Sequence, residues 1–435
     1  MSTESPSRKR RAPLGRDFNR FWVGSLSSNL ADGIMLVALP MLAAALTNDP
    51  VLVSGLMAAR FLPWLLVGLL AGALADRLDR GRVLVVANLV RAGALVVLAA
   101  LVAAGLATIW TLYAVMFVVM VCEVFYDVTG RAILPALAPR ALDRANSRLV
   151  GGKTVTEDFA GAPLAGFLFV IAAALPIALN AGAYFLGALV LLGLPLAVRR
   201  PDAGARPATE PEGPPDTDGD AARPSVMADI RTGLSYLLGH PTLRSVLLFN
   251  VVLNMASVAQ GGVLVLIVQE HFGVPEAFYG VFLMSVAAGA LVGAVLAGPA
   301  VERLGRFRTE LICFSLMTAS YFAFGLAPGA VTAALAFGTR AVASTVSNIV
   351  VVGAIQLVVP GTHLGRVMSL VQITGAGLAP IGALLGGLLG RVELYYVPIA
   401  SGAAVLAAFL PTIPAIRRLT RHADDVERDA GVDHT

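Results

Sequence analysis

The sequence predicts an all-α integral membrane protein whose twelve transmembrane helices form two pseudo-symmetric six-helix bundles. Three observations lead there: a composition too apolar for a water-soluble chain, long runs without a charge, and a motif that recurs at a fixed offset. Of 435 residues, 57% are hydrophobic and 14% charged, against about 45–50% and about 25% in soluble domains. A soluble chain of this kind would lack the polar surface to cover itself. Ala92–Cys122 (31 residues), Phe159–Val198 (40), Ser245–Gln269 (25), Ala277–Val301 (25), Leu311–Thr339 (29) and Leu394–Ile416 (23) carry no charge. Each exceeds the roughly 20 apolar residues that cross a bilayer.

In chain order, residues 1–19 form a basic tail containing Arg8-Lys9-Arg10-Arg11. Residues 20–198 hold six spans, near 20–46, 52–75, 83–105, 110–134, 152–173 and 177–198. The last two share one uncharged run, divided near Ala174–Pro176. The segment 199–225 reads as a disordered linker, because Pro201–Ser225 has six prolines, six acids and no aromatic residue and cannot bury a core. In 226–243, Ile230, Leu234, Leu237 and Leu238 share one helical face, as expected of a short amphipathic helix on a membrane surface or of an extension of the next span. Residues 244–416 hold six more spans, near 244–268, 277–300, 309–327, 331–358, 367–390 and 394–416, and 417–435 is a tail.

The connections fix an orientation. Those on one side contain a single Lys or Arg, Arg391; Arg60, Arg91 and Arg340 lie within spans, and the other 28 of 32 collect on the opposite side. By the positive-inside rule that side is cytoplasmic and holds both termini. The Arg-rich start is followed by a span longer than the apolar region of a cleavable signal. Cys122 and Cys313 both fall in spans, which excludes a disulfide framework. The net charge of +4 is accounted for by this asymmetry, so nucleic acid is not an expected partner. Trp22 and Trp110 fit interfacial belts.

Gly72-Ala-Leu-Ala-Asp76-Arg77-Leu78-Asp79-Arg80-Gly81-Arg82 aligns without gaps onto Gly298-Pro-Ala-Val-Glu302-Arg303-Leu304-Gly305-Arg306-Phe307-Arg308, 226 residues later. Arg144 and Ser147 are echoed by Arg366 and Ser369. Such duplication predicts two bundles related by an axis along the membrane normal, with the substrate path between them. The first of these segments resembles the G-x-x-x-D-R-x-G-R-R loop of the major facilitator superfamily, with Asp79 in place of its second glycine. Asn29-Leu-Ala-Asp32, Ala59-Arg60-Phe-Leu-Pro63, Glu123-x-x-x-Asp127 and Gly365-Arg366-Val-Met-Ser369 resemble its siderophore-exporter and macrolide-efflux branch. The exporter motif G-P-x-x-G-G is only partly present in Gly161-Ala162-Pro163-Leu164-Ala165-Gly166-Phe167. Ala162 and Phe167 stand in for two of its glycines, which leaves the direction of transport less constrained than the fold.

Ionisable groups at bilayer depth are costly, at roughly 2.5–3.5 kcal/mol each, and mark function. Asp32 and Glu123 lie midway along their spans, and desolvation there favours the neutral form of a carboxyl. Asp32 first and Glu123 second are the candidate proton carriers; permanent pairing with Arg60 or Arg340 is the alternative. The resemblance implies that the first, fourth, seventh and tenth spans line a cavity, which would gather Asn29, Arg60, Asn254, Gln260, Arg340 and Asn348. Arg91, in a span peripheral in this superfamily, is expected to snorkel or pair. Glu123, Asp127 and Arg131 recur every four residues on one helix face. The resemblance implies a cytoplasmic gate of Gly72, Asp76, Arg77, Arg80, Asp127 and Arg131, with Arg80 paired to Asp127, repeated weakly by Glu302 and Arg306. Lys153, Glu157 and Asp158 are a polar group without an assigned role. The GxxxG pairs Gly68/Gly72, Gly289/Gly293, Gly382/Gly386 and Gly386/Gly390 are expected at close helix contacts.

The expected function is secondary active export of a small amphipathic compound (an antibiotic, a natural product or a siderophore) by proton antiport with alternating access. A proton-coupled or facilitative importer of a small nutrient is the alternative. No cofactor is expected, the proton gradient being the energy source, and there is no GxxxxGK[ST] segment for ATP. No nucleophile cluster suggests an enzyme. The expected partners are a small-molecule substrate and the lipid bilayer, the chain acting as a monomer. Thirty Arg against two Lys suggest a high-GC bacterium and a location in its inner membrane.

Overall fold

The computed structural model describes residues 14–75, 78–139, 141–194, 239–359 and 377–432. Outside them lie Asp76 and Arg77, the 199–225 linker, most of the proposed amphipathic helix and Gly365–Ser369.

Apolar runs of this length have no option in lipid but to satisfy their own backbone as helices, and they do so throughout. The first bundle consists of α1 (Arg16–Leu46), α2 (Pro50–Ala75), α3 (Arg80–Ala103), α4 (Ile109–Leu137), α5 (Leu142–Lys153), α6 (Ala162–Ile171) and α7 (Ala174–Leu192). A π-helical stretch, Thr154–Gly161, joins α5 to α6 into one rod. The second bundle consists of α8 (Pro241–Leu266), α9 (Glu276–Leu304), α10 (Arg306–Gly325), α11 (Ala330–Val358), α12 (Ala379–Gly390) and α13 (Tyr396–Val432). Ten helical segments among the described residues are long and apolar enough to cross a membrane. Helix α10 and the shorter apolar helix α12 occupy the places of the predicted ninth and eleventh spans.

The turns follow from their residues. Thr108 and Thr111 cap α4 reciprocally, satisfying backbone N–H groups that a helix start leaves open. The duplicated motif turns differently in its two copies. Gly305 takes the left-handed conformation, φ 77°, between α9 and α10, which glycine adopts without steric cost. Asp79, at the corresponding position, is extended and accepts from Arg82 N at 2.9 Å as the N-cap of α3. The departure from the motif exchanges a tight turn for a side-chain cap.

Three apolar cores hold the molecule together. One spans both bundles at the face remote from the chain termini, uniting Ile34, Leu42, Leu95 and Met116 with Val263, Ile267, Phe282 and Phe337. The other two lie at the terminal face and each belongs to one bundle, around Phe21, Leu84 and Ile133 and around Phe249, Phe314 and Phe409. The bundles are therefore fused at the remote face. Glycines permit the close approach there: a Cβ on Gly280 would lie 2.0 Å from the Ala162 carbonyl oxygen, and one on Gly387 2.1 Å from Ser54 Oγ. Arg391 closes the same face by donating to Asp49 from Nε at 2.8 Å and from Nη2 at 2.5 Å. Within the second bundle, Gly289, Gly382 and Gly386 meet neighbouring backbone, while Gly68 meets nothing within 4 Å.

The final segment differs from expectation. Rather than ending near 416 with a separate tail, α13 runs on to Val432. Arg306 holds it, pairing with Asp424 and reaching Glu427 at 2.8 Å. The fifth span likewise begins ten residues earlier than predicted, at Leu142, because α5 continues the rod beyond the apolar run.

Candidate functional site

In the first bundle the membrane-embedded charges converge. Asp32 on α1, Arg91 on α3 and Glu123 on α4 meet behind the bundle's inner surface. Arg91 Nη1 lies 2.6 Å from Glu123 Oε2 and 3.9 Å from Asp32 Oδ1. The Arg91 N–H bonds point off the Glu123 oxygen, so the contact is a charge pair rather than an aligned hydrogen bond. Arg91 Nη2 instead donates to the Cys122 carbonyl at 3.2 Å. The guanidinium lies between two rings, 4.8 Å from the centroid of Tyr126 and 4.9 Å from that of Tyr184, a stacking geometry that suits its delocalised charge. Tyr184 OH donates to Asp32 Oδ1 at 2.5 Å. Asn88, one turn before Arg91, donates to Ser28 Oγ at 2.9 Å and ties α3 to α1.

The exposures are unequal. Arg91 is fully enclosed, whereas the side chains of Asp32 and Glu123 keep 13% and 15% of their surface open. The cation is thus the fixed backing of the site and the two acids are its accessible front. Two carboxylates share one guanidinium, so the cluster is neutral only when it holds one proton. Sequence reasoning expected Arg91 to snorkel or pair but named no partner for it, because the resemblance places its span away from the cavity, and it singled out neither Tyr126 on α4 nor Tyr184 on α7. The signal available was the lone arginine in an otherwise uncharged third span.

Arg60 does not reach Asp32. It lines a small cavity between the bundles with Met35, Met57, Met116 and Gly261. Asn29 lies one turn before Asp32 on α1 and is half-buried. Lys153 pairs with Glu157 at 3.4 Å where the π-helical stretch begins, and Asp158 lines a second cavity between the bundles with Met57, Leu264 and Tyr279.

In the second bundle, Arg340 Nη1 donates to Tyr321 OH at 3.0 Å and to Ser257 Oγ at 3.2 Å, over the Phe337 ring at 4.6 Å. Among the described residues it has no carboxylate partner. Ser257 borders a cavity of about 220 Å³ whose polar lining includes Asn250, Asn254, Ser344, Ser347 and Asn348. Asn254 Nδ2 donates to Asn250 O and Oδ1, both at 3.0 Å. Gln260, expected on the cavity, is fully buried with neither amide atom partnered; it falls on the side of α8 turned into the shared core.

The expected charge clamp is arranged differently. Asp127 and Arg80 do not pair: among the described residues Asp127 pairs with Arg131, at 3.9 Å on its own helix, and Arg80 Nε is buried without a hydrogen-bond partner. Gly72 lies in α2. Glu302 is exposed, and Arg306 is drawn instead to the acids of α13, so these two residues do not repeat a clamp with each other.

The fold agrees with comparisons to known proteins. A family model described as Major Facilitator Superfamily matches residues 21–349. An uncharacterised MFS-type transporter of Bacillus subtilis (strain 168), YfiS, is 26% identical over 375 residues, covering 83% of each chain. Macrolide efflux protein A of Streptococcus pyogenes is 23% identical over 415 residues, covering 92% of this chain and 97% of that one. Among solved structures, the nucleoside transporter NupG superposes with a TM-score of 0.72 at 13% identity, covering 92% of this chain and 99% of that one. A bacterial homologue of the iron transporter ferroportin in its inward-facing state superposes with a TM-score of 0.71 at 18% identity, covering 94% and 100%.

Proposed function

We propose, on the premise that this chain belongs to the major facilitator superfamily, that it is a proton-coupled antiporter exporting a small amphipathic compound across a bacterial plasma membrane. The observation that carries the reading is the shared cation of the first bundle: Asp32 and Glu123, each partly exposed, both face a single enclosed Arg91. A cluster with two acids and one base exchanges one proton between a neutral and an anionic form. Intramembrane acids of this kind are characteristic of proton relays. The count of Lys and Arg supports assigning the terminal face to the cytoplasm. The fused remote face then makes this an inward-facing form, with Asp49–Arg391 as the outer latch and Asp127, Arg131 and Arg80 at the inner opening. In this reading Asn254, Asn348, Arg340 and Arg60 contact substrate along the path between the bundles.

Export is favoured over import by the similarity to a protein named for macrolide efflux. The experiment is uptake of a radiolabelled macrolide into inverted vesicles with an imposed pH gradient, acid inside. Accumulation that collapses with the gradient and is lost in Asp32→Asn is expected. Gradient-driven movement in the opposite direction would make the protein an importer, and no gradient-dependent movement with intact folded protein would remove the macrolide reading.

A further inference from the structure

Glu310 is a carboxyl that nothing in the first bundle's network explains. In the sequence it stands at the lip of the Leu311–Thr339 uncharged run, two residues after Arg308, where it reads as an ordinary boundary charge. The fold places it otherwise. Helix α10 begins at Arg306, so Glu310 lies one turn inside, and it is completely buried. Its natural counter-ion would be Arg306, four residues earlier on the same face, but that guanidinium is committed to Asp424 and Glu427 of α13.

What Glu310 does have is one hydroxyl. Ser347 Oγ on α11 donates to Oε2 at 2.8 Å, and Oε1 is buried with no partner. The other described groups around α10 make no ion pair with Glu310: Arg417 of α13 lies over the Phe307 ring, 5.9 Å from its centroid. Thr309 Oγ1 is turned to the carbonyls of Ala300 and Gly305; Cys313, one turn on, is a buried neutral thiol; Glu302, Arg303 and Arg308 are exposed. No cation lies within 4.0 Å of Glu310 among the described residues. An anionic oxygen without a donor or a counter-charge in apolar surroundings is strongly disfavoured, so the resting form of this carboxyl carries its proton. A role in packing alone would be served as well by an uncharged side chain.

The same serine connects Glu310 to the exterior. Ser347 lines the cavity of about 220 Å³ between α8 and α11, beside Asn348 and across from Asn254. The distance from carboxyl to cavity is therefore one hydroxyl group. We propose that Glu310 is a second proton-binding site of the transporter, in the C-terminal bundle, exchanging with the cavity through Ser347. On release, the Ser347 hydroxyl turns from Oε2 to cavity water and the carboxyl O–H donates to Ser347 Oγ; the carboxyl proton then passes to Oγ while the serine's own hydroxyl proton passes to the water. One proton leaves, a carboxylate remains, and the hydroxyl is regenerated. The site extends the proposed function, which uses only the first bundle, and it requires neither a known substrate nor a direction of transport.

Infrared spectroscopy of the full chain in nanodiscs tests it without a substrate. The wild-type minus Glu310→Gln difference spectrum at neutral pH is expected to show a protonated-carboxyl C=O stretch. That band should vanish on alkalinisation while the protein stays folded, and shift to higher frequency in Ser347→Ala as its hydrogen bond is lost. Two results overturn the proposal: no band at neutral pH, or a band that persists at every pH at which the fold survives, which would make Glu310 a permanently neutral packing group. Should Glu310→Gln not fold, the alkaline loss and the Ser347→Ala shift, read on wild type carrying carboxyl-labelled glutamate, give the same decision. A titrating band with no gradient-driven macrolide flux removes the macrolide exporter reading alone; flux without the band removes this proposal alone.

Discussion

Replacing Arg91 by methionine separates the electrostatic role of the first-bundle cluster from its packing role. Methionine keeps much of the apolar volume between Tyr126 and Tyr184 and removes the charge. Removing one partner of a buried ion pair costs about 3–5 kcal/mol, and the lost stacking on two rings adds about 0.5–1 kcal/mol for each. Because Arg91 is fully enclosed and faces both Asp32 and Glu123, a loss of about 4–7 kcal/mol is expected at neutral pH. The loss has a signature. Acidification should reduce it, since proton uptake by the stranded carboxylates removes the charge that lacks a partner. Adding Glu123→Gln to Arg91→Met should recover more than half of it, leaving Asp32 with the Tyr184 hydroxyl. Reversible unfolding in mixed micelles, followed by tryptophan fluorescence across pH, measures wild type, Arg91→Met, Glu123→Gln and the double variant. An Arg91→Met variant within about 0.5 kcal/mol of wild type, as for an ordinary surface change, or a strictly additive double variant, would refute the shared-cation argument.

Three further outcomes follow from the contacts. Gly280→Val should hold the remote face open, because its side chain would occupy the space of the Ala162 carbonyl; the check is faster labelling of Leu264→Cys by an impermeant thiol reagent applied from that face, in a background without Cys122 and Cys313. The hydrogen bonds from Arg391 hold the Asp49 carboxyl below its usual range, so the latch contributes fully above the ordinary Asp value of about 3.9 and weakens as pH falls through the lowered one. The same labelling rate, divided at each pH by that of an always-exposed cysteine to remove the thiol's own titration, should therefore be flat from neutral pH down to about 5 and rise only in stronger acid, whereas Asp49→Asn should raise it at every pH. Arg306→Ala should release the end of α13, read as faster hydrogen exchange over residues 417–432 with α10 unchanged.

The spans were legible because crossing a bilayer demands uncharged length, and α4, α8 and α9 fill the places their runs define. Helix α10 was legible by position, although Arg308, Glu310 and several hydroxyl residues dilute its apolarity. The termini of the elements were not, since α13 continues through charged residues, two of which, Asp424 and Glu427, are held by Arg306, 118 positions before the first of them. The site was half legible. Asp32 and Glu123 stand out as acids within spans, but their partner is a tertiary fact: Arg91 meets Glu123 across 32 residues of sequence. Glu310 was hidden for the converse reason. A nearby arginine makes it look compensated along the chain, and only the packing of α13 takes that arginine away.

The division of the apolar interior into one seam joining the bundles and two private cores has a thermodynamic consequence. Parting the bundles at one end wets greasy surface, and bringing them together at the other dries a comparable amount, so the free energy of rocking is a small residue of two large opposing quantities. A carboxyl that holds its proton in one posture and not in the other tilts that balance by about 1.4 kcal/mol for each pH unit between the compartments. In the proton-coupled cycle proposed above, a tilt of that size would set the resting posture and drive the bundles in one direction.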